Sequence, residues 1–234
     1  MIFKIIFDRI ILVIYMKEKL INYLKLVKDK NFLITISFFT IVQPLCFLII
    51  KIFQNDYHTF NTVFDNNIPF VPYFIYIYNL FYFFVIFSFY YIFCKDKKKY
   101  YQGALSSIIA TIICYIIYVI YPVEIIRPEI SNNVANIFTT FILKVTYYFD
   151  TPAINCFPSI HCLFCFQIIF TTINSKNINI KNKTVICIIS FLIALSTLLV
   201  KQHYVYDMLS ALILSFITNL IVILIKLDNK IFKY

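Results

Sequence analysis

Two short polar segments, 156–161 and 201–207, each precede a long apolar run. Each contains one of the three histidines in this chain, His161 in the first and His203 in the second. In the second segment, His203 and Asp207 are four residues apart. In a helix this spacing places both side chains on one face, where the carboxylate can accept a hydrogen bond from the imidazole. Such a bond fixes the imidazole tautomer and leaves the other nitrogen free to attack or to take a proton. The pair therefore indicates nucleophilic or acid–base chemistry; a His–Asp pair at the membrane surface without a catalytic role is the open alternative.

The order and spacing of three short motifs resemble the signatures of the type 2 phosphatidic acid phosphatase (PAP2) superfamily of membrane phosphatases and phosphotransferases. Those signatures read Lys-x6-Arg-Pro, Pro-Ser-Gly-His and Ser-Arg-x5-His-x3-Asp. The chain offers, in the same order, Arg127-Pro128, then Pro158-Ser159-Ile160-His161, then Ser196-Thr197 followed by His203 and Asp207. The resemblance covers about residues 100 to 225.

Three residues depart from these signatures. Ile120 stands at the lysine position of the first, Ile160 at the glycine of the second and Thr197 at the arginine of the third. The residues around the motifs, 155–161 and 201–204, look like the branch that includes inositol-phosphorylceramide synthase-like proteins. In that branch a threonine at the arginine position and a lysine two residues before the histidine are familiar. The departures therefore favour a different phosphate clamp over that of a generic phosphatase.

The resemblance implies a role for three of the motif residues in phosphoryl transfer. It makes His203 the nucleophile that forms a phosphohistidine, Asp207 the group that orients this ring, and His161 the acid that protonates the departing alcohol. These roles agree with the chemistry of histidine, whose pKa lies near neutrality. The family mechanism uses no metal, so neither a metal nor another cofactor is expected.

Phosphoryl transfer also needs positive charge or N–H donors around the phosphate oxygens. We expect Arg127 to hold the phosphate in a bidentate fork. Ser159 and the backbone N–H groups that follow it can add donors, because a helix N-terminus favours anions. Lys201 is the candidate for the charge of the missing arginine, with a lysine that snorkels to the interface as the alternative.

The elements that must position these residues are membrane helices. Of the 234 residues, 62% are hydrophobic and the mean hydropathy is +0.84, and several apolar runs approach the length of about 20 residues that crosses a bilayer. The predicted fold is an all-α bundle of six transmembrane helices with a PAP2 or haloperoxidase-like helical core. We predict a short surface helix at 134–145 and spans at 32–52, 71–94, 103–120, 158–173, 184–200 and 204–225.

The basic residues predict the topology of these spans. Seventeen of the 21 lysines and arginines fall in the N-terminal segment, in loops 95–99 and 176–183 and at the C-terminal end from Lys226 onward, which are all on one side. The positive-inside rule makes that side cytoplasmic. Both termini are then cytoplasmic, and Arg127, His161 and His203 lie at the extracytoplasmic face, where the family has its active site. We expect an integral protein of the plasma (inner) membrane.

Three segments follow from this topology. Residues 1–31 form a cytoplasmic amphipathic segment with helical spacing of apolar residues between lysines, and Met16 is an alternative start. Residues 32–226 form the six-span domain, and residues 227–234 form a short basic cytoplasmic tail.

Several other classes of function fit the sequence less well. The net charge of +10 is spread between apolar runs, so it indicates contact with membrane lipids and no nucleic-acid partner. Cys162 and Cys165 lack a second cysteine pair in an aqueous loop, which argues against a redox centre. No acidic cluster has metal-ligand spacing. A transporter would tend to show inverted repeats, and none is visible between the two halves.

The predicted function is therefore hydrolysis of a phosphorylated lipid, either a phosphomonoester or a diphosphate, at the outer leaflet through a phosphohistidine. Two alternatives remain. One is a phosphotransferase that passes the phosphoryl head group to an alcohol, as in the synthases that the motifs resemble. The other is an inactive PAP2-like protein that only binds, which the missing lysine and arginine would permit.

Overall fold

The structure is a computed structural model that describes residues 29–54, 56–132 and 134–232. These ranges are helical and contain two isolated β-bridges but no strand. The predicted amphipathic segment at the N-terminus lies, up to residue 28, outside the described residues. The helices are α1 Lys30–Ile52, α2 Val63–Asn67, α3 Pro72–Lys95, α4 Lys97–Ile120, α5 Ile137–Phe149, α6 Ile160–Asn174, α7 Ile180–Leu199, α8 Val205–Leu224 and α9 Leu227–Ile231.

Five of these helices, α1, α3, α4, α7 and α8, are long and apolar enough to cross a membrane. The fourth predicted span corresponds to α6, which has only 15 residues where a span takes about 20. By length and composition, the described part of the chain therefore has five candidate spans rather than six. The helix is short because the Ser159 side chain caps its start and Ser175, an extended residue, ends it.

Helix α6 nevertheless lies at the centre of the bundle, where it packs against α3, α4, α7 and α8. Its residues from Cys162 to Ile168 are all buried, as expected of a helix that is apolar on every side. Gly103 of α4 allows close approach to α6, because a Cβ at that position would lie 2.2 Å from Thr171 Oγ1. Small residues at such contacts are typical of membrane helices.

A buried polar layer crosses the same core. Gln167 of α6 donates to Thr218 Oγ1 at 2.9 Å, and Ser106 of α4 donates to Gln167 Oε1 at 2.9 Å. Unpaired polar groups in an apolar medium are costly, so these bonds hold α4, α6 and α8 together.

The start of α4 and the middle of α1 differ from what hydropathy alone predicts. Helix α4 begins at Lys97 rather than at Gly103, because the Asp96 side chain accepts a bond from the Lys99 N–H and caps the helix. Lys97, Lys98 and Lys99 of the predicted loop are thus its first turn, and Lys95 is the last residue of α3. In α1, residues 38–42 form a π-helical turn just before Pro44, which has no N–H to donate.

The end of the bundle that carries these lysines is closed by polar contacts. Asp29, the cap of α1, accepts bonds from Lys97 Nζ at 3.0 Å and from Tyr101 Oη at 2.8 Å. The predicted tail includes α9, which packs against α4 and α8. Gln102 of α4 donates to the buried Asp228 of α9 at 3.2 Å. These contacts tie both ends of the described chain to α4, at the end of the bundle away from the two motif histidines.

Candidate active site

Three loops meet at the opposite end of the bundle and are joined by backbone hydrogen bonds. The Glu124 N–H donates to the His58 carbonyl at 2.8 Å, which links the loop before α5 to the loop before α2. The Cys156 N–H donates to the Val123 carbonyl at 3.1 Å, which links it to the loop before α6. The segment that carries Arg127 is therefore held beside the start of α6.

His203 and Asp207 contact each other as their spacing predicts. His203 Nδ1 lies 3.3 Å from Asp207 Oδ2, and the same oxygen accepts the Tyr204 N–H at 2.8 Å as part of the cap of α8. His203 precedes α8, and burial lowers the pKa of its ring to about 4. The ring is therefore neutral at pH 7, with Nε2 as the nitrogen that Asp207 does not contact.

His161 lies in the first turn of α6, with its ring centroid 5.8 Å from that of His203. The rings of Phe81 and Tyr78 are 4.4 Å and 4.9 Å from it. Its Nε2 is buried and has no hydrogen-bond partner among the described residues. A buried polar atom without a partner is unusual in proteins. This nitrogen is therefore available to a ligand between the two histidines.

Arg127 is held by side chains next to the histidine pair. Its Nη2 donates to Asp150 Oδ2 and to Gln202 Oε1, and its guanidinium lies over the Tyr147 ring at 4.8 Å. Gln202 immediately precedes His203, and the charges of both Asp150 and Arg127 act on the His203 ring. The structure thus brings Arg127 close to His203, although the Arg127 guanidinium already donates to the Asp150 carboxylate.

The other two predicted phosphate ligands have different neighbours. Ser159 is fully buried, and its Oγ accepts the Cys162 N–H at 3.2 Å as the cap of α6. Lys201 Nζ donates to the carbonyl oxygens of Asp65 and Ile68 at 2.8 Å and 2.6 Å. Neither side chain lines the cavity beside the histidines, so their roles at a phosphate stay predictions.

Thr197, which replaces the family's arginine, shapes the turn that carries His203. Its carbonyl accepts the N–H groups of Gln202 at 2.8 Å and His203 at 3.2 Å. Its side chain is buried, with Oγ1 at 3.5 Å from Cys162 Sγ of α6. The side chain at this position therefore packs inside the bundle and not beside a substrate.

The two histidines lie at the polar end of a cavity of about 570 Å³. That end also includes the side chains of Asp150, Asn155 and Gln202, and the Asn155 amide and Gln202 Nε2 have no partner within the described ranges. The walls, from α1, α3 and α5, are mostly apolar. They include Phe47, Leu48, Phe81, Phe141, Val145 and Phe149, with Gln43, Asn79 and Thr146 as polar exceptions. Such a cavity suits a molecule with a polar head and an apolar body.

Four polar residues near this cavity do not belong to the predicted site: Lys51, Asp150, Asn155 and Gln202. Asn155 has a positive φ of 61°, a conformation that asparagine tolerates. Asn155 and Gln202 each adjoin a motif, which is the one sequence signal that marks them. Lys51 and Asp150 carry no such signal, because the contact between them depends on how α1 packs. No group of three potential metal ligands is found among the residues that the structure describes.

Comparison with known proteins gives one match. The model of the PAP2 superfamily matches residues 53–221. A search of curated proteins and a search of solved structures each found no match. The matched residues are well over half of the chain and include Arg127, His161, His203 and Asp207. The chain belongs to the PAP2 superfamily.

Proposed function

We propose that this protein is a membrane lipid phosphatase that hydrolyses a phosphomonoester or diphosphate lipid through a phosphohistidine at His203. Membership of the PAP2 superfamily suggests a phosphatase- or phosphotransferase-type lipid enzyme. The observation that carries the proposal is the position of the two histidines in the cavity. Their ring centroids are 5.8 Å apart, at the polar end of a cavity whose walls are mostly apolar.

In the first step, Nε2 of the neutral His203 attacks phosphorus. The P–N bond forms while the P–O bond to the lipid breaks, and His161, in its protonated imidazolium form, donates a proton to the departing oxygen. Asp207 holds Nδ1–H and balances the positive charge that develops on the ring. In the second step, His161 takes a proton from water while the water oxygen attacks phosphorus. The P–N bond then breaks, its electrons return to His203, and inorganic phosphate leaves.

Charge on the phosphate oxygens requires donors in both steps. Arg127, which donates to the neighbouring Gln202, supplies a guanidinium beside His203, and the α6 N-terminus adds backbone N–H groups. The proposal assigns this charge to side chains and backbone N–H groups and includes no metal ion, as the resemblance to the family implies.

The apolar walls of the cavity support an amphiphilic substrate whose head group reaches the histidines. The distribution of basic residues supports an active site at the extracytoplasmic face. Among the described residues, Lys51, Arg127, Lys144 and Lys201 are the cations at the site end, while a larger number of described lysines lie at the other end. Under the positive-inside rule that other end is cytoplasmic.

A phosphotransferase of the inositol-phosphorylceramide synthase-like type is the second candidate. The observation that favours it is the pair of unsatisfied amides, Asn155 and Gln202 Nε2, at the polar end of the cavity. Such donors and acceptors can orient an alcohol as readily as water. An acceptor hydroxyl would then replace water in the second step.

The experiment is phosphate release by detergent-purified protein from phosphatidic acid, a sphingoid phosphate and a polyprenyl diphosphate, with excess chelator. His203→Ala is compared with His58→Ala, a control because the exposed His58 ring stacks on Tyr121 outside the cavity. We expect release that resists the chelator and that only His203→Ala abolishes. Release that survives His203→Ala would contradict the mechanism. Folded protein with no release from any lipid would favour the phosphotransferase or a binding role.

A further inference from the structure

Lys51 lies in the last turn of α1, just before the segment that matches the family model. Although it is a lysine, its side chain is only 11% exposed, and Nζ lies 3.8 Å from Asp150 Oδ1. Lysine is rarely buried unless it has a partner. Asp150 is that partner, and its carboxylate lines the cavity that contains His203.

Asp150 contacts two cations at once. Its Oδ1 is near Lys51, and its Oδ2 accepts from Arg127 Nη2. Its side chain is 33% exposed, so it has room to turn away from them. A carboxylate held between a lysine and an arginine presents its oxygens much as a phosphate does, and both cations are common phosphate ligands.

The other described cations at this end of the bundle have different partners. Lys144 is exposed and donates to Asn132 Oδ1 at 2.6 Å. Lys201 donates to the carbonyl oxygens of Asp65 and Ile68. Among the described cations at this end, Lys51 and Arg127 are thus the two that contact Asp150, a residue that lines the cavity.

We propose that Lys51 is a substrate-binding residue, which supplies the second positive charge of the phosphate site together with Arg127. Asp150 holds the two cations in place when the site is empty, and a phosphate takes the position of its carboxylate between them. This proposal rests on the proposed function, because it assigns part of the same site. A phosphate of two negative charges then meets two cations, of which the Lys51 side chain is 11% exposed, and a low local dielectric strengthens such pairs.

A purely structural role for Lys51 makes a different prediction. If Lys51 only neutralises the buried side of Asp150, its removal matters because it leaves Asp150 unpaired. That effect must vanish once Asp150 is replaced by a neutral residue. If Lys51 contacts the phosphate, the effect of its removal persists without the Asp150 charge. A double-mutant cycle between the two positions separates these cases.

The experiment measures equilibrium binding of inorganic phosphate to the full-length detergent-purified protein and its Lys51→Met, Lys51→Arg, Asp150→Asn and double variants. Lys144→Met is the matched control. We expect Lys51→Met to weaken phosphate binding about tenfold, the loss of one charge-assisted bond. Lys51→Arg keeps most of the affinity. Asp150→Asn strengthens binding, and Lys51→Met still weakens it about tenfold in that background.

The proposal is overturned if wild-type protein does not bind phosphate, if Lys51→Met binds it as Lys144→Met does, or if the Lys51 effect disappears with Asp150→Asn. Phosphate binding requires no turnover, so the two proposals fail separately. Lys51-dependent binding by a protein without phosphatase activity removes the proposed function alone. Phosphatase activity with binding that does not depend on Lys51 removes the role of Lys51 alone.

Discussion

One carboxylate oxygen, Asp207 Oδ2, contacts both His203 Nδ1 and the Tyr204 N–H. Asp207→Asn keeps the size of the side chain but removes the charge that stabilises the phosphorylated ring. We expect kcat to fall about a hundredfold, with little change in KM, because Asp207 does not line the cavity. Steady-state kinetics with the best lipid of the panel measures both. A kcat near that of the wild type would show that Asp207 only caps α8 and does not assist His203.

The neutral state of His203 predicts an unusual pH dependence. Burial lowers the pKa of this ring from 6.5 to about 4, and only the neutral ring can attack phosphorus. As the pH falls, any loss of kcat/KM that arises from protonation of His203 should therefore be absent at pH 6.5 and appear only as pH 4 is approached. The titration of the substrate, followed by phosphorus NMR, is measured as a control. An acid limb at or above pH 6.5 that the substrate does not explain would contradict this description of the site.

At the level of helices, Gly103 allows a close contact of α4 with α6. Gly103→Ala forces Thr171 or the helices to move, and we expect it to lower the free energy of unfolding by about 1–3 kcal/mol. Thr171→Ala removes the nearest atom, since Oγ1 lies 2.2 Å from the added Cβ position. In the Thr171→Ala background, Gly103→Ala should therefore lower the free energy of unfolding by less. Thermal unfolding of the four proteins in detergent tests this; equal losses in both backgrounds would contradict it.

Hydropathy predicts most spans well, because each must be apolar over a bilayer's thickness whatever its neighbours are. The predicted span 204–225 is observed as α8, Val205–Leu224, and 71–94 as α3, Pro72–Lys95. Hydropathy does not predict the start of α4, because that start depends on the Asp96 cap. The cap extends the helix through charged residues. For α6, hydropathy cannot distinguish a full span from a 15-residue helix buried inside the bundle.

The site could be predicted only where its residues form motifs. His161, His203 and Asp207 have fixed spacing within short segments, so they could be identified before their contacts were known. Lys51 and Asp150 could not, because they meet only through the packing of α1 against the rest of the bundle. Lys201 does not line the cavity and donates to the Asp65 carbonyl, and its role as a phosphate ligand stays a prediction.

For the whole molecule, the distribution of lysines predicts which end of the bundle lies outside the cell. Lys144 on α5 and Lys181 on α7 are both exposed and lie at opposite ends. A membrane-impermeant maleimide should label Lys144→Cys in intact cells and leave Lys181→Cys unlabelled until the membrane is opened. Wild-type protein, with its seven cysteines, gives the background. The reverse pattern would place the histidines at the cytoplasmic face.

The central claim is that His203 carries the phosphoryl group, and the most direct test is to trap it. Purified protein is mixed with lipid labelled in its phosphate, quenched within the first turnover and digested for mass spectrometry. We expect an acid-labile, alkali-stable phosphoryl group on His203, absent from His203→Ala and present in His58→Ala. Phosphate release by wild-type protein with no trapped intermediate, or with the group on another residue, would contradict the account.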